Sequence, residues 1–319
     1  MNGKDEPVVS IIMPVRDAAA TLEDAIDSIL HQDYPSIGQI ILALGPSEDN
    51  TSEIAQLCCR KDQRIVLIDN PSGLTASGLN AAAHISRGKY LVRVDSHCML
   101  PVAYVTTAIQ TILRTEAGNV GGIQRAIGNS SYQRAVAKAM TSRFGVGNSK
   151  FHLGGQEGPT DTVYLGVYER EFFNHLGGFD ESLVRNQDYE LNIRIRNAGK
   201  IIWFDPALVV NYLPRSSQFK LGRQYFQYGT WKRRVLLKNP RSTKFRQIVP
   251  QLTLLGLIGS FVASLLVNYW FSAVWAVYIL AIIAASFKCR DLSFQERVLL
   301  TIIYPTMHMS WALGFVLGR

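Results

Sequence analysis

The chain has 319 residues, 47% of them hydrophobic and 18% charged, with a formal net charge of +8; that length allows one large core plus a smaller unit, and that composition is too apolar for a chain soluble throughout. The basic excess is local: Lys220, Arg223, Lys232, Arg233, Arg234, Lys238, Arg241 and Lys244 crowd residues 215–246 without one acid, directly before long apolar segments. This pattern fits a segment lying on anionic lipid and excludes a nucleic-acid groove, and four cysteines without ligand spacing exclude a disulfide framework and point to a reducing compartment.

The first ten residues are charged and lack the apolar stretch of a secretory signal, so the N-terminal domain is expected to stay in the cytoplasm. Residues 8–15 form an apolar, β-rich run, and residues 18–32 then carry Leu22, Ile26, Ile29 and Leu30 at helical spacing, with Thr21 and Asp24 as a capping signal. A second apolar run, 39–44, leads through Gly45-Pro46-Ser47 into a helix over 51–60; a third, 64–68, leads to Asn70, Pro71 and Gly73. A helix over 76–86, the turn Arg87-Gly88 and a strand over 90–94 complete the alternation. Such alternation predicts an α/β fold, a mostly parallel sheet with helices on both faces, whose strand ends build ligand sites.

Beyond Asp95 the rhythm changes. A helix is expected over 104–114, followed by Gly121-Gly122, a mobile glycine-containing stretch over 145–158 and a Gly177-Gly178 turn. A helix over 187–198 closes at Gly199, and a strand covers 201–204. From 218 to 238 aromatic and basic residues interleave at helical spacing, which suits a helix in the membrane interface. Residues 248–267 and 270–287 are each long and apolar enough to cross a bilayer, and the short link Asn268-Tyr269 makes them a hairpin. Charges return over 288–297, on the same cytoplasmic side as 241–246. The last apolar stretch, 298–317, holds Pro305, His308 and Gly314, and is read as spanning, kinked or partly re-entrant. The expected division is a cytoplasmic catalytic domain over 1–214, a basic juxtamembrane segment over 215–247 and a multi-pass membrane region over 248–319.

The strongest chemical signal is Val92-Arg93-Val94-Asp95-Ser96-His97: an acid and an imidazole two residues apart beyond a strand, able to chelate one divalent ion that neutralises a diphosphate. By itself the same trio also describes a helix-capping aspartate beside a surface histidine. The wider setting resembles family 2 glycosyltransferases of GT-A fold. Pro14-Val15-Arg16, Pro46 to Thr51, Asn70-Pro71, Gly78-Leu79-Asn80, Arg87 to Tyr90, Asp95-Ser96-His97, Gly177 to Glu181, Asn186 to Glu190 and Gln224 to Gly229 occur in that family's order and spacing. The likeness is greatest to its ExoA-like succinoglycan and exopolysaccharide branch.

The resemblance implies a GT-A domain followed by an interfacial helix and transmembrane helices. It implies that Pro14, Val15 and Arg16 receive the nucleotide base, that Asp49 lies in the second base and ribose turn, and that Asn70 and Asn80 belong to the donor site. Asp95 matches the first acid of the family's DxD motif, with His97 replacing the second, a replacement shared by the polypeptide N-acetylgalactosaminyltransferases. A nitrogen and oxygen donor pair favours manganese over magnesium. Leu44 stands where the family commonly has a base-contacting aspartate, so the donor is left as a UDP- or GDP-sugar. Asp188 matches the acid that faces the acceptor hydroxyl and is the expected general base; read without the family, it also suits a helix cap. Gln224 and Trp231 resemble an acceptor-side element of processive synthases, or equally an amphipathic helix in lipid headgroups, and His152 is an additional metal or phosphate candidate. His84 and His175 read as structural.

The expected activity is inverting transfer to a polyprenyl-linked saccharide at the inner membrane, in exopolysaccharide or cell-envelope glycan synthesis, with membrane lipids as partners and no nucleic acid. The alternatives are transfer to polyprenyl phosphate, processive polymerisation, or a noncatalytic membrane-anchored nucleotide-binding scaffold.

Overall fold

A computed structural model describes residues 6–318. In chain order the elements are β1 (Val9–Val15), α1 (Leu22–Leu30), β2 (Ile37–Leu44), α2 (Thr51–Lys61), β3 (Ile65–Asp69), α3 (Thr75–Ile85), β4 (Tyr90–Arg93), α4 (Tyr104–Thr115) and β5 (Asn119–Ala126). Then follow α5 (Ser131–Met140), α6 (Arg143–Val146), α7 (Lys150–Leu153), β6 (Gly158–Thr160), β7 (Tyr164–Glu169), α8 (Arg170–His175), α9 (Gln187–Asn197) and β8 (Ile202–Tyr212). The remainder is helical: α10 (Gln218–Lys238), α11 (Val249–Leu266), α12 (Ala273–Phe287) and α13 (Phe294–Leu317).

The chain divides into two compact units, residues up to Arg125 with Gly154–Tyr212, and Ala126–Leu153 with Leu213 onward. In this division α5 to α7 group with the C-terminal helices. The reason is visible in their contacts. Arg134 Nε donates to Glu296 at 2.6 Å, and the Ser142 and Tyr304 hydroxyls share a hydrogen bond at 3.0 Å, so these short helices are fastened to α13. Within the stretch over 145–158 the chain forms the end of α6, all of α7 and the first residue of β6.

The first unit is built on an eight-stranded sheet in the order β3-β2-β1-β4-β7-β5-β8-β6. β3, β2, β1 and β4 run parallel, while β7 lies antiparallel to both β4 and β5. In β1, Ile11 and Met13 face one layer with Leu22, Ile26 and Ile29 of α1, whereas Ile12 faces the other with Leu79 of α3 and Phe179. Both faces are thus covered, as a parallel sheet requires. Register aligns Val15 with Leu44, Leu44 with Asp69 and Ile12 with Arg93, which gathers the loops after four parallel strands along one edge.

Thr21 does not cap α1 through its side chain. Its hydroxyl instead donates to the Ser96 carbonyl at 2.9 Å, tying the helix start to the loop after β4. The last strand runs much further than expected, because Leu208, Val210 and Tyr212 continue to alternate into the core.

In the second unit α11, the Tyr269–Phe287 segment and α13 are long and apolar enough to cross a membrane. Pro305 sits inside α13, which is helical throughout its 24 residues and opens with Ser293 and Glu296 in a capping box. α10 is less a free interfacial helix than one face of a close pair. A Cβ on Gly229 would lie 2.0 Å from the Trp311 carbonyl oxygen, and one on Gly314 would lie 2.0 Å from that of Phe226. Only glycine permits so near an approach of α10 and α13.

Candidate active site

The edge where β1 to β4 end is stitched by loop hydrogen bonds. Asp49 Oδ2 accepts from the Ala19 N–H at 3.0 Å and Oδ1 from the Thr51 N–H at 3.1 Å, and the Thr51 hydroxyl also bonds this carboxylate. Those bonds, Thr51 first and Ala19 next, hold the Asp49 carboxyl below its ordinary range. Asp49 therefore pins the β1 loop to the β2 loop. Pro14 and Val15 close β1 beside Ala43 and Leu44, and the exposed Arg16 crosses to the β3 loop, where a Cβ on Gly73 would stand 3.0 Å from its Nη1. Gly73 has φ +62, and its lack of a side chain leaves room for that guanidinium.

Asn70, buried, closes the turn into α3 by donating to the Leu74 carbonyl at 3.1 Å and accepting from the Ser72 hydroxyl at 2.9 Å. Asn80 is engaged on the far side of α3 by Phe179 and Glu181. Both border an open polar groove of about 630 Å³ shared with Asp69, Ser77, His84 and Glu181, and none of Asp95, His97 or Asp188 lines it. The Asp95, His97 and Asp188 side chains and this groove are separate features.

At the end of β4 three charged side chains meet. Arg93, 5% exposed, donates from Nε to Asp95 Oδ1 at 3.0 Å and from Nη2 to Oδ2 at 3.4 Å, while Nη1 pairs with Asp188. The ring of Phe179 covers its face at 5.8 Å. Asp188 enters from the first turn of α9, whose N-cap Asn186 takes a left-handed conformation at φ 63, one that asparagine tolerates. Asn186 makes no side-chain capping bond, and the Asp188 carboxylate pairs with Arg93 while also accepting from its own backbone N–H in the first turn. Sequence reasoning passed over Arg93, since nothing in a lone strand arginine reveals which acids from distant segments will reach it.

A carboxylate oxygen of Asp95, an imidazole nitrogen of His97 and Cys98 Sγ lie within 4.8 Å of one another. The exposed His97 ring is steadied edge-on by Tyr212 at 6.2 Å. The oxygen and nitrogen donors suit a hard to borderline divalent ion. Cys98, read from sequence as standing alone, thus borders the donor set. Burial pushes its thiol up to about 12, and it shares a hydrogen bond of 3.2 Å with the Tyr164 hydroxyl.

Electrostatics separates the two acids. Burial works against ionised Asp95, but Arg93, His97 and Arg185 together outweigh it and hold the carboxyl below its usual range. At Asp188 burial wins: Arg93 opposes it, Asp95 reinforces it, and the carboxyl lies above its ordinary value. With 37% of its side chain open, solvent tempers that rise. One acid is set to stay charged and the other to accept a proton, the arrangement that acid-base chemistry exploits. Arg185, also unforeseen, brings a second cation toward Asp95, with its Nε buried and lacking a hydrogen-bond partner among the described residues.

Gln224 and Trp231, expected on the acceptor side, and His152, the additional metal or phosphate candidate, belong to the other unit. Gln224 is buried in α10 and donates to the Tyr228 hydroxyl at 3.0 Å; Trp231 stacks under Arg234 at 4.3 Å. His152 lies in α7, where burial depresses its pKa to about 3 with Arg246 adding to the effect, so it is a neutral imidazole.

A family model described as glycosyl transferase family 2 matches residues 10–177. The succinoglycan biosynthesis protein ExoA of Rhizobium meliloti is 29% identical over 311 residues, spanning 96% of this chain and 93% of that protein. A Methanococcus voltae enzyme, named as a dolichyl N-acetyl-alpha-D-glucosaminyl phosphate 3-beta-D-2,3-diacetamido-2,3-dideoxy-beta-D-glucuronosyltransferase, is 24% identical over 70% of this chain and 72% of its own. Among solved structures, the mannosyltransferase PcManGT of Pyrobaculum calidifontis, in complex with GDP-Man and Mn2+, superposes with a TM-score of 0.64 at 18% identity, covering 99% of this chain and 89% of that one. That last likeness is one of fold.

Proposed function

The chain belongs to glycosyl transferase family 2, and from that premise we propose that it transfers a sugar, with inversion, from a nucleotide-sugar to a polyprenyl-linked saccharide during exopolysaccharide or cell-envelope glycan synthesis. The observation that carries the reading is the pairing of Asp95 and Asp188 on one buried guanidinium, with His97 two residues from the first acid. Asp95 and His97 would hold a divalent cation, manganese before magnesium. When bound, such an ion supplies positive charge to the departing nucleotide diphosphate.

The chain's own groups account for the rest. Asp188 Oδ takes the proton from the acceptor hydroxyl as that oxygen bonds to C1 of the sugar; the bond from C1 to the diphosphate oxygen breaks, and the electron pair leaves with the diphosphate. Its raised pKa makes it a stronger base than a free aspartate. Arg185, with a buried N–H to satisfy, adds a second positive charge for the phosphates. The loops fastened by Asp49 and Asn70 form the nucleotide side, with Pro14, Val15 and Arg16 against the base.

The lipid-linked acceptor is supported by the three apolar helices and by the name of the archaeal relative. The same helices, with basic residues at 241, 244, 246, 288 and 290, support a multi-pass protein of the inner membrane with its catalytic unit on the cytoplasmic side. The test is turnover by the full-length, detergent-purified chain of UDP- and GDP-sugars with membrane lipid extract, with and without Mn2+ or Mg2+, followed by product sizing. A single sugar added to a lipid-linked saccharide is expected. A ladder of products, or sugar attached directly to polyprenyl phosphate, would replace the acceptor assignment; no transfer with any donor would overturn the reading.

A further inference from the structure

Arg93 lies nearly out of solvent, yet its guanidinium is shared between the two acids with different tasks: two nitrogens on Asp95 and the third on Asp188. Carboxylates are good ligands for hard divalent ions, and Asp188, held on the same guanidinium as Asp95, stands outside the group of Asp95, His97 and Cys98 whose ligand atoms lie within 4.8 Å of one another. A base captured as a ligand accepts protons poorly. Something must keep Asp188 out of the coordination shell.

We propose that Arg93 is a positioning residue that partitions the two acids, leaving Asp95 to the metal and withholding Asp188 for the acceptor's proton. The inference rests on the metal and base assignments made above. Its physical basis is charge and shape. The planar guanidinium meets Asp95 two-pronged, fixing that carboxylate's orientation, and its remaining edge anchors Asp188 as an alternative to a metal ion. Phe179 over the guanidinium face and the short β4 strand beneath leave it little freedom to release either partner. Lysine offers the charge without the fork.

The experiment is Mn2+ binding to the full-length protein, read by electron paramagnetic resonance, alongside thermal melting in EDTA and steady-state kinetics. Arg93→Met is expected to bind Mn2+ about tenfold more tightly, because a repelling cation is removed and a second carboxylate is freed. Its kcat falls at least about a hundredfold with the donor KM much less changed, as loss of the base requires. It melts lower in EDTA, and Mn2+ recovers more of that loss than it adds to wild type. Adding Asp188→Asn to Arg93→Met removes the extra affinity, whereas Asp188→Asn alone leaves Mn2+ binding within about twofold of wild type. Arg93→Lys restores near wild-type metal affinity with partial kcat.

Mn2+ binding that is unchanged or weaker in Arg93→Met overturns the partition, since a purely structural arginine predicts that result. Should Arg93→Met not fold, Asp188→Asn decides alone, because a tenfold weakening there means that Asp188 is already a ligand. Asp95→Asn separates the two levels: if it binds Mn2+ like wild type, the metal assignment itself fails, whatever Arg93 does.

Discussion

The side-chain amide of Asn80 clasps the backbone of Phe179 from both directions, donating to its carbonyl at 2.9 Å and accepting from its N–H at 2.8 Å. Ninety-nine residues separate them, and Phe179 in turn covers Arg93. A Cβ on Gly178 would come 2.5 Å from Asn80 Oδ1, so the glycine-rich turn is shaped around this amide. Asn80 is thus an indirect support of the charge cluster.

Replacing Asn80 by Ala leaves the Phe179 backbone unsatisfied and is expected to cost about 1–3 kcal/mol of stability. Activity falls further than stability alone explains, because Phe179 no longer holds Arg93. Urea unfolding of the purified variant, set beside kcat at a temperature where it is fully folded, checks both.

Asp188→Asn preserves shape and removes basicity. Transfer is expected to drop by about a hundredfold to ten-thousandfold while donor binding persists. A variant that keeps wild-type kcat shows that the proton goes elsewhere.

Arg185→Ala removes a cation beside Asp95 without touching the acceptor's base. Donor affinity should weaken by about tenfold or more, and the free nucleoside diphosphate should weaken with it. Calorimetric titration with UDP and GDP, in the presence of Mn2+, measures the effect and identifies the base in one experiment.

The thiol of Cys98, pushed up to about 12 by burial, is expected to stay protonated across the neutral range. Iodoacetamide at pH 8 should leave it unmodified in the folded protein and label it after denaturation, since the thiolate is the reactive form. Peptide mass mapping before and after guanidinium treatment reads this directly.

Gly122 faces the β8 backbone so closely that an added Cβ would lie 1.9 Å from the Leu208 carbonyl oxygen, while Gly256 in α11 has open space around it. Gly122→Ala is expected to lose about 1–3 kcal/mol or more through overpacking. Gly256→Ala should express and melt like wild type, and thermal shift assays of the pair provide the comparison.

Much of the architecture was open to sequence reasoning because its signals are local. The apolar run of β1, helical spacing at Leu22, Ile26 and Ile29, and the uninterrupted apolar lengths of α11 and α12 each depend on neighbours a few residues away. Errors arose where a distant partner competed for a local group. Thr21 left its cap for Ser96.

What the sequence determined by itself was the inventory: a strand ending in Asp95 and His97, an acid at 188 beside a helix start, and a tail apolar enough for a bilayer. Only the tertiary structure decided what those groups do to one another. Arg93 is one unremarkable residue in a strand until the fold brings α9 against β4 and seats two carboxylates on a single buried cation. Such an energy depends on distance and on exclusion of water, and neither is written in the spacing of residues along a chain.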